Sequence, residues 1–374
     1  MINIFVSGDF APKFRIMELI DKEDYQSVFN DILPIIKESD FSITNLESPL
    51  IDEGTPIAKT GPNLKASPKS IKALKYAGFD MVTLANNHIM DYGKEGLFST
   101  MALCEKENIG YVGAGKNLEE AQQIKYVTLQ EKIVALISVC ENEWSTTQGE
   151  NAGANPLNEV LLYYQIQEAK TKSDYLIVFI HGGHELYEYP SPRMKRLYRW
   201  FVDLGADAVV GHHTHCFCGY EVYNGKPIFY SLGNFVFDRN VRDSIWNFGA
   251  AVVLKLNNDS VDFDLFPYEQ CNNDPGIALL TGGRKERWEQ EQKEKTSIIL
   301  DDKDLDAHFD DFVKRSSRLY RSYLEPSRNK YVLAAMNKGV LPRRIKGEKR
   351  LLYNNIFRCE SHRDVLLTLL KTDK

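Results

Sequence analysis

The hydrophobic residues of this chain fall into short, continuous runs. The runs are rich in β-branched and aromatic residues, and they cover residues 2–7, 41–44, 81–85, 133–139, 175–180, 208–210 and 228–232. Such runs predict strands that are buried on both faces. Stretches typical of helices lie between several of them, at residues 28–38, 68–77, 96–107, 157–172 and 192–204. This alternation favours an α/β fold built in layers.

The pattern changes after residue 245. Residues 249–256 and 261–267 are two strand-like runs separated by Asn257, Asn258 and Asp259. Asparagine and aspartate favour tight turns, so this segment predicts a β-hairpin that completes the sheet in antiparallel fashion.

A charged segment suggests where the first domain ends. Residues 282–304 are rich in Lys, Glu, Arg and Asp and hold few apolar residues, which indicates a linker or an exposed excursion. Residues 305–323 and 327–337 then have helical spacing. We therefore predict a domain over residues 1–275, a charged linker or excursion over 276–304, and a helical, basic extension over 305–374.

The extension has an excess of basic residues, which include Arg315, Arg318, Arg321, Arg343, Arg344 and Arg350. One interpretation is a solvated helical face, since charged side chains are mostly exposed. The other is contact with a polyanion or an anionic membrane surface. The sequence leaves both open.

Composition and charge narrow the class of protein. The 374 residues are 43% hydrophobic and 26% charged, with a net charge of −6, which fits a soluble globular protein and gives no sign of nucleic-acid binding. No signal-peptide pattern precedes the first predicted strand, and no apolar run has the length of a transmembrane helix. We expect a cytoplasmic protein without a transmembrane anchor, and contact with the membrane periphery stays open.

The histidines indicate where the chemistry lies. Of eight in the chain, six occupy three short segments: His88, His181, His184, His212, His213 and His215. Each segment directly follows a predicted strand. In open α/β sheets, ligands bind at the carboxyl ends of the strands. We therefore expect these segments to meet in one site.

The other polar strand ends complete a set of metal-capable groups. Gly8-Asp9, Asn45-Leu46-Glu47 and Asn86-Asn87-His88 with Asp91 each follow a predicted strand. Imidazole nitrogens combined with carboxylate and amide oxygens suit Zn, Mn or Fe(II). Such an ion lowers the pKa of bound water, and two ions that share an oxygen ligand clamp both oxygens of an in-line displacement. Asp9 or Glu47 is the candidate for the shared ligand.

At this point the motifs carry a resemblance to a known family. The series is Gly8-Asp9, Asn45-Leu-Glu47, Asn86-Asn-His88-x-x-Asp91-Tyr-Gly93, His181-x-Gly-x-Glu185, Gly211-x-His213-x-His215 and Tyr230-Ser-Leu-Gly-Asn-Phe235. It resembles the bacterial capsule-synthesis CapA family, also called PGA_cap for its link to poly-γ-glutamate capsules, within the calcineurin-like metallophosphoesterases. The resemblance covers about residues 1–270. It implies a four-layer α/β sandwich of two central mixed sheets flanked by helices.

The resemblance also implies roles for individual residues. The metal ligands it implies are Asp9, Glu47 as a bridging carboxylate, Asn87 as the amide ligand, His181, His213 and His215. His88 looks like the histidine that contacts the leaving group, and Asp91 is grouped with it as catalytic. Residues behind the ligands, or alternative ligands, are Asn45, His184, Glu185, His212 and Asn234.

The sequence departs from the family pattern near Asp9. A histidine often stands two residues after the first aspartate, and this chain has Ala11 there. We therefore expect one firm metal around Asn87, His181 and His213, with the second in question. The additional histidines His184 and His212 are candidates to replace a ligand. Glu185 either orients a histidine or is a solvated loop acid.

Two functions follow from these motifs. The first is a metal-dependent hydrolase, a phosphoesterase of cell-surface polymer or capsule metabolism, that uses metal-activated water with His88 as general acid. The second is a non-catalytic component of capsule biosynthesis that binds poly-γ-glutamate or a polysaccharide. The expected partner is accordingly a phosphoester or an anionic polymer. No nucleotide-binding loop is present, which argues against ATP-dependent ligation by that route.

Overall fold

The computed structural model describes residues 1–258, 260–324, 329–341 and 347–372. The strands are β1 (Ile2–Phe10), β2 (Phe41–Leu46), β3 (Met81–Thr83), β4 (Gly110–Val112), β5 (Ala114–Gly115), β6 (Lys125–Leu129), β7 (Lys132–Cys140), β8 (Gly153–Ala154), β9 (Tyr175–His181), β10 (Ala208–His212), β11 (Tyr220–Tyr223), β12 (Lys226–Phe229), β13 (Asn234–Val236), β14 (Phe248–Asn257), β15 (Ser260–Gln270) and β16 (Ile277–Leu279). The helices are α1 (Arg15–Asp21), α2 (Tyr25–Phe29), α3 (Leu33–Glu38), α4 (Ser70–Ala77), α5 (Gly93–Glu107), α6 (Leu118–Ala121), α7 (Glu159–Lys172), α8 (Pro192–Leu204), α9 (Gly282–Leu300), α10 (Asp302–Leu324), α11 (Lys330–Asn337), α12 (Glu348–Arg358) and α13 (Glu360–Thr372).

Most of these strands form two mixed sheets. The eight-stranded sheet has the order β16-β15-β14-β1-β2-β3-β4, and β13 pairs with the end of β1. The six-stranded sheet has the order β11-β12-β10-β9-β7-β6. Within each sheet the central strands run parallel, as β1, β2 and β3 do in the first and β7, β9 and β10 in the second. The predicted hairpin is β14 paired with β15, and Asp259 of its turn lies outside the described residues.

Three hydrophobic cores separate four layers. One core lies between helices α1 to α5 and the outer face of the eight-stranded sheet, and includes Phe10, Leu74 and Leu97. The second joins the two sheets through residues such as Val6 and Phe179. In the third, Ile166 of α7 and Phe201 of α8 pack on the six-stranded sheet. The predicted four-layer α/β sandwich is thereby confirmed.

Strand register places polar residues of both sheets at one edge. In the eight-stranded sheet, Asp9 is paired with Asn45, and Asn45 with Thr83. In the six-stranded sheet, His181 is paired with both Cys140 and His212. Parallel strands end at the same edge of their sheet, so the segments after these residues emerge side by side.

The segment expected to be a charged linker has a regular structure instead. Residues 276–304 contain β16, which extends the large sheet, and helix α9, after which α10 begins at Asp302. Trp288 packs against Phe217 with ring centroids 5.1 Å apart, and Ile299 is fully buried. A few apolar side chains on one side are enough to dock a helix whose other faces are charged, which is why composition alone predicted a linker.

The region after residue 304 is helical, as predicted, in its described part. Helices α10, α12 and α13 share a small core that includes Phe309, Val313, Ile356 and Val365. Arg315 and Arg350 are exposed, as a solvated face requires. The side chains of Arg318 and Arg321 and the whole of Arg343 and Arg344 lie outside the described residues. No helix in the described part of the chain combines the length and apolar character needed to cross a membrane.

A buried ion-pair network attaches α13 to the end of β7. Arg193 of α8 pairs with Glu141, and its Nε lies 2.6 Å from Oδ2 of Asp364. Ser361 donates its hydroxyl to Glu141 over 2.5 Å. Burial alone would raise the pKa of Glu141, but Arg193 and the Ser361 hydrogen bond hold that pKa at about 2. The carboxylate is therefore charged and compensated at neutral pH.

Replacing Arg193 tests this attachment. Arg193→Met leaves two buried carboxylates without their cation, so we expect the free energy of unfolding to fall by about 3 kcal/mol in urea titrations. Lys172→Met is the control, because the side chains of Lys172 and Glu168 are 57% and 52% exposed. In Lys172→Met the free energy of unfolding should fall by less than about 0.5 kcal/mol. Equal, small losses in both variants would contradict a structural role for the network.

Candidate metal centre

The candidate site lies where the two sheets meet at their common edge. Asp9 is the penultimate residue of β1, and Glu47 directly follows β2. Asn87 and His88 lie in the loop after β3, while His181 ends β9. His213 and His215 follow β10 and take positive φ angles of 93° and 58°, which cost energy in residues other than glycine. The surrounding contacts hold the backbone there, and each ring belongs to a group that contains Glu47.

The first metal-capable group consists of Glu47, His181 and His213. Nε2 of His181 lies 3.0 Å from Oδ1 of Asn87 and 3.1 Å from Nδ1 of His213. The same nitrogen is 3.7 Å from Oε1 of Glu47. The structure thus brings Asn87, His181 and His213 together beside Glu47.

The second group consists of Asp9, Glu47 and His215. Nε2 of His215 lies 3.8 Å from Oε1 of Glu47, and its Nδ1 lies 3.7 Å from Oδ2 of Asp9. Glu47 belongs to both groups. The Asp9 side thus keeps a carboxylate and a histidine although Ala11 replaces the family's histidine.

The surroundings of the Glu47 carboxylate suit a bound cation. It is fully buried, and neither of its oxygens has a hydrogen-bond partner among the described residues. Burial, and then the negative charge of Asp9, raise the pKa of Glu47 well above its ordinary value. A buried charge is costly unless it is paired or coordinates a metal. The donor set of carboxylate, amide and imidazole groups is compatible with a divalent transition ion.

His88 is held by Asp91 beside these groups. Nδ1 of His88 lies 2.6 Å from Oδ2 of Asp91, and its Nε2 points toward Oε1 of Glu47 at 3.9 Å. Lys59 binds the other Asp91 oxygen at 2.5 Å. Burial lowers the pKa of His88, and the charge of Lys59 lowers it further. The imidazole therefore has a fixed orientation, with one nitrogen directed into the site.

Asn45 and Asn234 form hydrogen bonds to side chains of the second group. Asn45 donates to Oδ1 of Asp9 over 2.7 Å. Oδ1 of Asn234 lies 3.0 Å from Nδ1 of His215, while its amide donates to the carbonyl of Trp246. Gly8 lets β1 approach this loop, because a Cβ on Gly8 would lie 1.8 Å from the Gly233 carbonyl oxygen.

The three alternative ligands lie outside both groups. His212 directs Nε2 to the carbonyl oxygen of Ser7 at 3.0 Å. His184 is packed against Phe309 and Phe312, with ring centroids 5.2 and 5.4 Å away. Glu185 has an exposed side chain at the edge of the cleft. The expectation that His184 or His212 replaces a ligand is therefore not supported by their orientation.

Sequence reasoning missed several residues of the site. Lys59 lies in a loop that has no strand or helix pattern, so nothing local marks it. Glu143 lies 3.4 Å from the Asn87 amide and 3.9 Å from His213. Glu143 lies three residues after the end of β7, so the strand-end criterion that marked the histidines was sufficient to find it.

Asn87 and His213, two of the side chains around the first group, line a cleft of about 450 Å³. Asn87, His88, His213 and Lys59 line its base. The opposite side is formed by residues of α10, α12 and α13, among them Phe312, Leu352 and His362. The helical extension is thus one wall of the same cleft.

The chain matches a known protein family and is similar in sequence to proteins of known name. Residues 3–239 match the family described as "Bacterial capsule synthesis protein PGA_cap". "Capsule biosynthesis protein CapA" of Bacillus anthracis is 35% identical over 247 residues, which cover 64% of this chain and 60% of that protein. "PGA biosynthesis protein CapA" of Bacillus subtilis (strain 168) is 34% identical over 244 residues, covering 63% and 64%. The chain thus spans less than two thirds of the length of these relatives.

Solved structures with a related arrangement are more distant. A hypothetical protein from Thermus thermophilus aligns with a TM-score of 0.48 and 15% identity, over 72% of this chain and 99% of that one. A putative 5'-nucleotidase from Staphylococcus aureus aligns with a TM-score of 0.44 and 16% identity, over 78% and 58%.

Glu47 offers a test of the cation site that does not depend on activity. In the presence of a chelator, Glu47→Gln should raise the free energy of unfolding by about 1 kcal/mol or more, because a neutral amide costs less to bury than a carboxylate. With excess Mn²⁺ the order should reverse, because only wild type gains the full stabilisation of binding. Thermal melts under both conditions measure this. Glu150→Gln, at an exposed position, is the control and should leave the stability unchanged under both conditions. If Glu47→Gln were less stable than wild type both with chelator and with Mn²⁺, the cation site would be contradicted.

Proposed function

We propose that this chain, which belongs to the PGA_cap family of bacterial capsule synthesis proteins, is a metal-dependent phosphoesterase that acts in cell-surface polymer or capsule metabolism. The observation that carries the proposal is the buried Glu47 carboxylate, shared by two groups of metal-capable side chains. A carboxylate shared by two histidine-containing groups suits a pair of metal ions that act together on the attacking and leaving oxygens of a phosphoester.

The residues that would hold the ions divide into two sets. Asn87, His181 and His213 belong to one, Asp9 and His215 to the other, and Glu47 to both. Mn, Zn or Fe bound there supplies the Lewis acidity that activates water and neutralises the phosphoryl oxygens. Asn45 and Asn234 fix the orientation of Asp9 and His215 by the hydrogen bonds described above, so that the donor atoms need little rearrangement.

His88 is the proposed general acid. Its Nδ1 is engaged by Asp91, which leaves Nε2 as the nitrogen that faces the reacting groups. A proton at Nε2 is placed to pass to the leaving oxygen, and burial makes its release easier by lowering the pKa. Asp91 and Lys59 position the ring, because Lys59 and the Leu64 amide hold the two oxygens of Asp91.

Metal analysis combined with a phosphoester screen tests the proposal. We expect about two equivalents of Mn, Zn or Fe per wild-type chain, with hydrolysis of p-nitrophenyl phosphate or its diester. Asp9→Asn should reduce the metal content to about one equivalent, because it weakens only the Asp9 group. A protein that binds no stoichiometric transition metal and hydrolyses no phosphoester with these ions supplied would rule the proposal out.

The role of His88 can be tested separately by comparing substrates with different leaving groups. His88→Gln should lower kcat by about 10²-fold or more for an alkyl phosphate, whose leaving oxygen needs a proton, and far less for p-nitrophenyl phosphate. Metal content should be unchanged. His308→Gln, an exposed histidine, is the control and should leave both rates intact. Equal losses with both substrates would argue for a structural effect instead.

A second candidate is supported by the names of the relatives. Those names refer to capsule and PGA biosynthesis rather than to hydrolysis, which favours a non-catalytic component that binds poly-γ-glutamate or a polysaccharide. Polymer binding that survives His213→Ala combined with His215→Ala, in a protein without turnover, would favour this alternative. Loss of activity with unchanged polymer binding would assign both properties to the chain.

A further inference from the structure

We propose that helices α10, α12 and α13 form a substrate-selecting wall, and that this wall accepts the apolar face of a compact organic group on the phosphoester. The inference rests on the proposed function and adds the substrate class. The supporting observation is a shared cleft, which is lined both by Asn87 and His213 and by residues of helices that lie outside the family match.

The wall is apolar where it faces the cleft. Phe312 of α10 and Leu352 and Ile356 of α12 line it. Phe312 stacks on Tyr187, with ring centroids 4.5 Å apart and planes inclined by 27°. Phe312 and Leu352 are only partly buried, so they retain surface that a ligand can cover. Burial of such surface favours an apolar group on the substrate.

The wall is attached to the metal-capable groups through one short segment. Residues 141–143 follow β7, and Glu141 binds Ser361 at the start of α13. Asn142 donates its backbone N–H and its side-chain amide to Glu360, each over 2.8 Å. Glu143, the next residue, contacts Asn87. The distance between wall and metal-capable groups is therefore set by packed, hydrogen-bonded elements.

Two polar atoms of the lining residues have no hydrogen-bond partner in the described part of the chain, but both atoms are themselves buried. Nε2 of His184 and Oδ1 of Asn355 have no hydrogen-bond partner among the described residues, and both side chains belong to buried residues that line the cleft. Burial lowers the pKa of His184 to about 3, so the ring is neutral and offers one N–H and one lone pair. The neutral His184 ring therefore adds no charge to the apolar wall.

The charges of the cleft argue against a polyanion beyond the phosphoryl group. Among the described lining residues the lysine is Lys59, and its charge is already paired with Asp91. Glu143 and Glu185 add negative charge. The volume of about 450 Å³ lies in the range of small-molecule sites. A single phosphoester with an apolar group therefore fits better than an extended anionic chain.

Binding of two phosphonates tests the wall without requiring turnover. With Mn²⁺ supplied, the full-length protein should bind phenylphosphonate about tenfold more tightly than methylphosphonate in calorimetric titrations. Leu352→Ala and Phe312→Ala should each reduce this ratio severalfold and leave methylphosphonate binding unchanged. Where hydrolysis is detected, the ratio of kcat/KM for phenyl and methyl phosphate should change in the same way.

Matched controls lie on the outer faces of the same helices. Leu367 of α13 and Phe357 of α12 are 57% and 63% exposed and do not line the cleft, so Leu367→Ala and Phe357→Ala should keep the wild-type ratio. If Phe312→Ala does not fold, the affinity ratio of the two phosphonates is compared in Leu352→Ala and Leu352→Ser instead. Thermal melts verify that each variant is folded.

The outcomes separate the wall from the proposed function. Equal affinity for both phosphonates, no binding of either, or equal ratios in wall and control variants would overturn the inference even if phosphoesters are hydrolysed. A wall-dependent preference for phenylphosphonate in a protein that hydrolyses no phosphoester would sustain the binding site and reject the phosphoesterase.

Discussion

A carboxylate without a hydrogen-bond partner among the described residues, buried where two sheets meet, is the constraint on which the arrangement of this site depends. Glu47 lies between Asp9 on one side and His181 and His213 on the other, and its oxygens find no donor among the described residues. Leaving such a group uncompensated costs free energy that a folded domain can hardly spare. The surrounding asparagines bind its neighbours and leave Glu47 itself open. A cation is the simplest compensation, and the proposed metal centre follows from it.

The two-sheet architecture explains how these ligands reach one another. Asp9 and Glu47 come from the eight-stranded sheet, while His181 and His213 come from the six-stranded sheet. Neither sheet alone provides a complete group. The apolar core between the sheets, with Val6 facing residues such as Phe179, therefore sets the distances within the site. Packing errors in that core would therefore change the distances between the side chains of the site.

The helical extension is joined to the site by charge and by packing. The charge of Arg193 compensates both Glu141 and Asp364. The rings of Tyr187, Phe309 and Phe312 pack against one another and against His184. Because Glu141 and Glu143 lie two residues apart at one strand end, the attachment of the helices and the environment of the ligands share the same segment. This is the physical basis for treating the extension as part of the cleft.

Local sequence was sufficient to determine the layered α/β fold, the hairpin at residues 249–267 and the strand ends that carry the polar residues, because β-branched runs and turn residues act over a few positions. The ordered motifs also indicated the family. The tertiary structure decided which neighbouring histidines face the site, since His212 binds the Ser7 carbonyl while His213, one residue on, adopts a positive φ and turns inward. The tertiary structure also decided that Lys59 pairs with Asp91 and that residues 282–300 form a packed helix. It placed Phe312 and Leu352 in the lining of the same cleft as Asn87 and His213. These outcomes depend on contacts between residues far apart in the chain, and no local pattern contains that information.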